Sequence, residues 1–454
     1  MKKLLLALFA IVCAFVFIGC GEDPHTHEFV DGKCECGATD PNYTDEPKYP
    51  EYVVDPSKLA LYYHSWESDD LASVNYWDSK ESTVGDLSSY IFGGFWDTRM
   101  NEDRDGYEWY PLLANEKPQA QNDDNNDGLA TVYKFEVKVG SALKYATLSN
   151  KPEFAKFNNQ EVKLEDYLTP WKEMYNKSNG IERGSESLTG AGSIKGMNDY
   201  YQATENGFNQ EAWDKVGIKA TEENGKAYLE FTFNVECNAF YAMYYLASYL
   251  YTPIPADFIQ LVGGLDKYGT FSEDNTLTPV DTTLATGFYV LEAWNYKKEI
   301  IYKRNANIQD GDRYAIEGVY IEILEAAKTD NEAAFKEFLA NKIDATGIPA
   351  TQLDAYKNDP RATTTLDSST YKINLNSCTQ EEWNALFGVN GTITQTQEAN
   401  YWVCEPIMSN NNFLRGLSYS IDRKNLAELL GRSATGEYFG SSYLVTILGL
   451  SAAF

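Results

Sequence analysis

The stretch TPVDTTLATGFYVLEAWNYKKEIIYKRNANI, residues 278–308, decides the fold that we predict for this chain of 454 residues. It stands at the start of a region, 280–450, in which segments typical of strands and of helices alternate. Such alternation favours an α/β or mixed architecture. Upstream, YKFEVKV (133–139) and LEFTFNV (229–235) alternate apolar with polar residues, and this period predicts half-buried strands.

Composition limits the kind of protein this is. The length allows two or three domains, and a hydrophobic fraction of 43% is sufficient for real cores. The net charge of −29 argues against nucleic acid as a partner, because a phosphate-binding face needs clustered Lys and Arg. The same charge disfavours contact with an anionic lipid surface. No internal segment is apolar for long enough to cross a bilayer.

The N-terminal residues, MKKLLLALFAIVCAFVFIGC, have the pattern of an export signal. Lys2 and Lys3 precede an apolar run, 4–18, which is shorter than the ~20 residues that span a bilayer. The run ends in IGC, which resembles a bacterial lipobox and implies lipidation of Cys20. An ordinary secretory signal cut elsewhere and an uncleaved anchor are the alternatives. We therefore expect a signal peptide at 1–20 and a polar tether at 21–50.

The tether holds a group of candidate zinc ligands within CGEDPHTHEFVDGKCECG, residues 20–37. His25, His27, Cys34 and Cys36 provide four nitrogen and sulfur ligands, the set that tetrahedral Zn²⁺ prefers. The spacing is H-x-H and C-x-C rather than the common C-x₂-C. A Cys34–Cys36 disulfide and free thiols are the alternatives. With four protein ligands, such a zinc ion would be structural, since no coordination position stays open.

Two further patterns bear on metal binding and catalysis. DDNNDG (123–128) matches the first positions of a Ca²⁺ loop, but Lys134 stands where the bidentate Glu is needed, so a hairpin turn is the better interpretation. Beyond the tether the sequence has one histidine, His64, and neither G-x-S-x-G nor a P-loop. We therefore predict a protein that is not an enzyme and requires no cofactor.

Six segments, taken in chain order, resemble extracellular solute-binding proteins of family 5, the oligopeptide and dipeptide class. In 278–308 the match is to the family pattern G-T-G-P-Y-x-L-x-x-W-x₅-I-x-L-x-R-N, with Phe288 in place of the usual Pro. Gly287, Tyr289, Trp294, Arg304 and Asn305 hold the matching places. The other segments are 123–141, 161–176, 216–259, 335–349 and 411–426.

This resemblance implies a type II periplasmic-binding-protein clamp of the α/β class, with two lobes and a domain inserted in the first. The family is the lipid-anchored, substrate-capturing subunit of ABC importers and encloses a peptide at the hinge. We expect a monomer on the outer face of the cell membrane, with an oligopeptide ligand and permease subunits as partners. The implied division is lobe 1 at 51–95 and 229–372, the inserted domain at 96–228, and lobe 2 at 373–454.

Three places are implied to contact the ligand. Ser82 and Thr83 stand in the loop before the first helix of lobe 1, Thr346 and Gly347 in the turn after the IDA segment, and Tyr371 and Asn374 in the strand entering lobe 2.

The chain departs from the family in two respects. Nothing after Arg432 matches the family's W-x-x-D-Y element, so we expect an incomplete second lobe, through truncation, a frameshift or a short variant. A long polar stretch, 176–213, elaborates the inserted domain and is predicted to be surface loop and short helix.

The alternative functions are a glycan-binding or glycan-hydrolysing surface lipoprotein and a non-functional truncated relative.

Overall fold

The computed structural model of the chain describes residues 56–69, 73–102, 106–308, 316–362, 375, 377–387, 406–422 and 425. All of them lie in one compact unit, Pro50–Phe454. The strands in this part of the chain are β1 (Tyr62–Glu67), β2 (Trp96–Met100), β3 (Tyr107–Pro111), β4 (Gln119–Ala120), β5 (Ala130–Val137), β6 (Gly140–Lys144), β7 (Glu161–Val162), β8 (Ile218–Glu223), β9 (Lys226–Cys237), β10 (Tyr289–Asn295), β11 (Glu299–Arg304) and β12 (Gly318–Ile323).

The helices are short and stand before, between and after these strands. They are α1 (Pro56–Leu59), α2 (Ser82–Ser89), α3 (Pro152–Ala155), α4 (Thr169–Met174), α5 (Met197–Ala203), α6 (Gln210–Trp213), α7 (Ala239–Leu246), α8 (Ala256–Val262), α9 (Pro279–Thr282), α10 (Ala333–Leu339), α11 (Leu353–Tyr356), α12 (Gln380–Phe387) and α13 (Asn411–Ser420). Further 3₁₀ turns include Glu182–Ser185 and Tyr249–Tyr251. In the described part of the chain, no helix is long and apolar enough to span a membrane.

Four strands in the order β1-β12-β11-β10 form the sheet that we call the β1 sheet. β1 runs parallel to β12, with Tyr62 opposite Gly318 and Glu67 opposite Ile323, and the other pairs are antiparallel. β10 is a nearly continuous run of buried residues, since both of its faces are covered, and β11 is buried at its centre, 300–302. The stretch 278–308 therefore supplies half of this sheet.

A second sheet, the β9 sheet, has the order β4-β5-β9-β8 and is antiparallel throughout. Tyr133, Phe135 and Val137 are buried on alternate positions of β5, which confirms the half-buried strand predicted there. β9 shows the same alternation and confirms the second predicted strand. The domain boundary predicted between residues 228 and 229 lies inside β9, and the domain division stays a prediction.

The turn at 123–128 joins β4 to β5. The carboxylate of Asp123 accepts the backbone N–H groups of Asp127 at 3.0 Å and Gly128 at 3.1 Å, and Asn126 has a positive φ of 53°. An aspartate that caps its own turn in this way stabilises a hairpin without a metal ion. The hairpin interpretation of this motif is confirmed.

Many of the core side chains are aromatic. The largest fully buried residues include Trp77, Trp96, Trp171 and Trp294. The backbone approaches closely at Gly94, where a Cβ atom would lie 2.1 Å from the carbonyl oxygen of Ala247, so that only glycine fits.

An ion pair between the buried Asp281 and the partly exposed Lys151 anchors α9 next to the β1 sheet. Asp281 is only 2% exposed, and one carboxylate oxygen accepts Lys151 Nζ at 2.7 Å and the backbone N–H of Thr278 at 3.0 Å. The other oxygen accepts the hydroxyl of Ser149 at 2.6 Å. Asp281 and Thr278 form a capping box at the start of α9. This carboxylate joins segments of the chain that are 130 residues apart.

The polar stretch 176–213 contains the short helices that we predicted, but it does not lie wholly on the surface. It forms α5, α6 and short 3₁₀ turns, and it buries several residues in the core. Ile181, Ile194, Met197, Tyr200 and Trp213 are all at most 8% exposed. Apolar residues widely spaced in a polar sequence have no clear period, so the pattern of this stretch did not indicate their burial.

Candidate functional site

Ser82 and Thr83, two of the predicted ligand contacts, form the first turn of α2. Both were predicted in the loop before the helix, whereas the structure begins the helix at Ser82. Glu81 is the N-cap, with extended backbone, and its carbonyl accepts the N–H of Gly85 at 3.2 Å. Ser82 is exposed and Thr83 half-buried, so this turn is accessible from solvent.

Hydrogen bonds between α2 and residues outside it fix the position of this helix. The Ser88 hydroxyl donates to the carbonyl of Val74 at 2.9 Å. The Tyr302 hydroxyl, from β11, donates to the carbonyl of Leu87 at 3.1 Å. α2 is therefore held against the β1 sheet, and the turn that carries Ser82 has a defined place relative to that sheet.

Two carboxylates, Glu67 at the end of β1 and Asp86 on α2, interact beside this turn. Burial, and secondarily the charge of Asp86, raises the pKa of Glu67 to about 7. Burial also raises the pKa of Asp86. Because Asp86 follows Ser82 by one helical turn, the pair lies next to the predicted contact residues. No sequence pattern pointed to either carboxylate.

The phenol of Tyr90 interacts with both members of this carboxylate pair. Burial raises the pKa of Tyr90 to about 12, and the charges of Glu67 and Asp86 add to the effect. Burial also raises the pKa of Tyr63. The ring of Tyr90 lies 5.0 Å from that of Tyr302. These phenols stay protonated at neutral pH, so this region offers hydrogen-bond donors, acceptors and negative charge to a polar ligand.

The raised pKa of Glu67 predicts a pH dependence of stability. Between about pH 4.5 and 7 the unfolded chain releases this proton while the folded chain keeps it, so stability should fall as the pH rises. Glu67 is only half-buried and solvent screens its charge, so we expect a loss of about 1 kcal/mol between pH 5 and 8. Glu67→Gln should be more stable than wild type by that amount at pH 8 and equal to it at pH 5.

Urea unfolding of both proteins at the two pH values measures this difference. Glu236→Gln, at an exposed position, removes the same charge and controls for the general effect of a net charge of −29. An equal gain at pH 8 from both variants would show that burial of Glu67 contributes nothing specific.

Thr346 and Gly347 follow a segment that contacts β1. The backbone N–H of Asp344 donates to the carbonyl of His64 at 2.8 Å, and a carboxylate oxygen of Asp344 accepts the N–H of His64 at 2.7 Å. The IDA segment is not itself a strand, and Gly347 is exposed with open space around it. Both described pairs of predicted contacts therefore lie near the β1 sheet: one follows Asp344, which is bonded to β1, and the other is on α2, which is bonded to β11.

The remaining predicted site residues lie outside the described residues. They are the ligand contacts Tyr371 and Asn374, the lipidation residue Cys20, and the zinc ligands His25, His27, Cys34 and Cys36. Among the residues that the structure describes, no group of three or more His, Cys, Asp and Glu side chains could hold a metal ion.

A surface cleft of 610 Å³ lies elsewhere, along β6 and β7. Glu161, Lys163, Glu165 and Glu222 line it together with apolar residues. None of the four described contact residues, Ser82, Thr83, Thr346 and Gly347, lines this cleft, so it is separate from the part of the candidate site that they form.

The chain is similar to a known protein family in sequence. A family model described as "Bacterial extracellular solute-binding proteins, family 5 Middle" matches residues 155–443, well over half of the chain. No curated protein matches the chain.

Solved structures resemble it in fold. Peptide-bound OppA of Listeria monocytogenes has a TM-score of 0.52 at 18% identity, over 81% of this chain and 58% of that one. The substrate-binding domain of an oligopeptide ABC transporter from Bacillus anthracis has a TM-score of 0.52 at 18% identity, covering 82% of this chain and 57% of that one. Haemophilus influenzae OppA in complex with RPPGFSPFR has a TM-score of 0.51 at 12% identity, covering 86% and 74%.

At these identities the likeness shows the fold alone. It confirms the predicted α/β clamp of the type II periplasmic-binding-protein class. The chain spans about 58% of the length of the first of these structures.

Proposed function

Because the chain belongs to the bacterial extracellular solute-binding proteins of family 5, we propose that it captures oligopeptides outside the membrane and delivers them to an ABC importer. The family match over 155–443 is the observation that carries this proposal. The role is binding rather than catalysis, and it needs no cofactor. ABC permease subunits are the proposed partners of a monomeric protein.

The proposed ligand contacts are Ser82 and Thr83 on α2, Thr346 and Gly347 beside β1, and Tyr371 and Asn374. A peptide in extended conformation would pair its backbone with protein backbone groups, while hydrated pockets accept varied side chains. Glu67 and Asp86 support this assignment, because negative charge beside α2 favours a ligand that carries an amino group. Closure of the lobes would follow from tighter binding in the closed state.

We further propose that lipidation of Cys20 holds the protein at the outer face of the membrane. Residues 21–50 then form a tether, in which His25, His27, Cys34 and Cys36 bind a structural zinc ion. The strongly acidic body supports this arrangement, because repulsion from anionic lipid keeps the binding lobes clear of the bilayer. The division into lobe 1 (51–95 and 229–372), inserted domain (96–228) and lobe 2 (373–454) belongs to the same proposal.

Thermal unfolding of the full-length chain with a mixed pool of short peptides tests the function. A ligand at a hundredfold excess over its Kd should stabilise the folded state by about 2.7 kcal/mol, because it binds only that state. We expect a cooperative transition that shifts upward with peptide concentration. The double variant Ser82→Ala, Thr83→Ala should show a smaller shift.

A matched pool of oligosaccharides is the control. A shift with sugars and none with peptides would favour the glycan-binding alternative. A broad transition that neither pool moves would indicate a chain that does not bind on its own.

A further inference from the structure

Arg183, in the polar stretch 176–213, contacts the segment that leads into α2. Its guanidinium is largely buried, with the side chain 12% exposed. Nε donates to the carbonyl of Tyr76 at 2.7 Å and to that of Ser79 at 2.9 Å. Its backbone N–H donates to the carbonyl of Trp77 at 3.2 Å. One residue thus binds three carbonyl groups of the segment 76–81, which we call the 76–81 loop.

The guanidinium also packs on an aromatic ring that reaches α2. It lies 4.0 Å from the ring centroid of Tyr76, within the range of a cation–π contact. The Tyr76 ring lies 4.6 Å from that of Tyr249, whose hydroxyl donates to the carbonyl of Gly85 at 2.9 Å. Contacts therefore run from Arg183 through two tyrosines to the helix that begins with Ser82.

Charged side chains add further contacts between the segment around Arg183 and the 76–81 loop. Glu186 accepts a hydrogen bond from Arg183 Nη1 at 3.1 Å and also lies 3.6 Å from Lys80 Nζ. The backbone N–H of Glu182 donates to the Asp78 carboxylate at 2.9 Å. A planar donor with several N–H groups suits this set of carbonyl, carboxylate and ring partners, and a lysine could not satisfy it.

We propose that Arg183 is a positioning residue, which holds the 76–81 loop and thereby places Ser82 and Thr83 for the ligand. This inference rests on the proposed peptide-binding function. An anchored loop is ordered before the ligand arrives, so binding does not have to supply the free energy of ordering it. The stretch 176–213, which family resemblance left without a role, thus acts on the binding site from outside it.

Peptide dissociation from the full-length chain tests the proposal, with a fluorescent peptide taken from the pool that stabilises wild type. We expect Arg183→Ala to raise Kd about tenfold, mostly through faster dissociation, at a temperature where the variant stays folded. Arg183→Lys keeps the charge but loses the planar contacts, and its effect should be smaller. Lys177→Ala, in the same stretch but paired with Glu205, should leave the dissociation rate unchanged.

A double-mutant cycle with Ser82→Ala distinguishes positioning from a general structural effect. If Arg183 acts through Ser82, the effects of Arg183→Ala and Ser82→Ala on Kd will be strongly non-additive in the double variant. Independent effects of the two substitutions would add. Should Arg183→Ala fail to fold, Arg183→Lys takes its place in the cycle. Additive effects, or a dissociation rate unchanged by the Arg183 variant, would overturn the positioning role and leave peptide binding intact. Absence of peptide binding by wild type would overturn both proposals.

Discussion

Asp281→Ala should lower the free energy of unfolding by about 2–4 kcal/mol, because it removes a buried carboxylate that accepts charged and neutral hydrogen bonds and caps a helix. The alanine would leave the Lys151 ammonium without its carboxylate and the Ser149 hydroxyl without its acceptor. It would also remove the capping box of α9. These losses fall on one site because the carboxylate is 2% exposed and serves three donors.

Urea unfolding followed by circular dichroism measures this loss. Glu211→Ala is the matched control, since it breaks an ion pair with Lys215 on the surface of the molecule. The control should leave the midpoint unchanged, because exposed pairs contribute little. A similar midpoint for Asp281→Ala and wild type would mean that the pair does not hold α9 in place.

Trp77→Ala should cost a comparable amount, about 3–5 kcal/mol. The side chain is fully buried, with its ring 5.2 Å from that of Phe92 and 5.4 Å from that of Tyr268. Its Nε1–H donates to the carbonyl of Leu250 at 2.8 Å. Alanine would create a cavity and leave that carbonyl unpaired.

Trp77→Phe separates the two contributions, because it keeps most of the ring volume and loses the hydrogen bond. We expect it to cost about 1–3 kcal/mol in the same urea experiment. Tyr419→Ala, at a position 84% exposed, should change stability by less than about 0.5 kcal/mol. Equal losses for the phenylalanine and alanine variants would show that packing at this position contributes little.

Period and turn chemistry were the sequence signals that predicted structure well. Strict alternation located β5 and β9, because each strand has one face on the core. The hairpin between β8 and β9 has an equally strong local signal, although we did not predict it. Asn224 and Gly225 form its turn, with φ of 53° and 79°, as the Asn-Gly preference of type I′ turns requires.

Local signals failed where contacts distant in sequence decided the outcome. Thr329 and Glu332 have the spacing of a capping box, but α10 begins at Ala333 and its N-cap, Glu332, makes no side-chain capping hydrogen bond. The Glu332 carboxylate instead accepts hydrogen bonds from Thr351 and Gln352. A partner some twenty residues away thus replaced the one that the local pattern implied.

The candidate site was predictable only in part for the same reason. Family resemblance pointed to Ser82 and Thr346, since matched segments carry positions over. It did not indicate Glu67 or Asp86, whose raised pKa values arise only when α2 packs on the completed sheet. The contacts of Arg183 could not be predicted from the sequence, because its partners lie about a hundred residues before it.

The parallel pairing of β1 with β12 sets the order in which this molecule can be assembled. About 250 residues separate the two strands, so β1 has no neighbour on that side until most of the chain exists. A ribosome that adds about 5–20 residues per second needs roughly 13–50 s to cover that distance. All strands of the β9 sheet lie within that interval, and each finds its partners among residues 119–237. Among the described strands, the pairing that is most distant in sequence therefore belongs to the β1 sheet, which is complete only once β12 has been made.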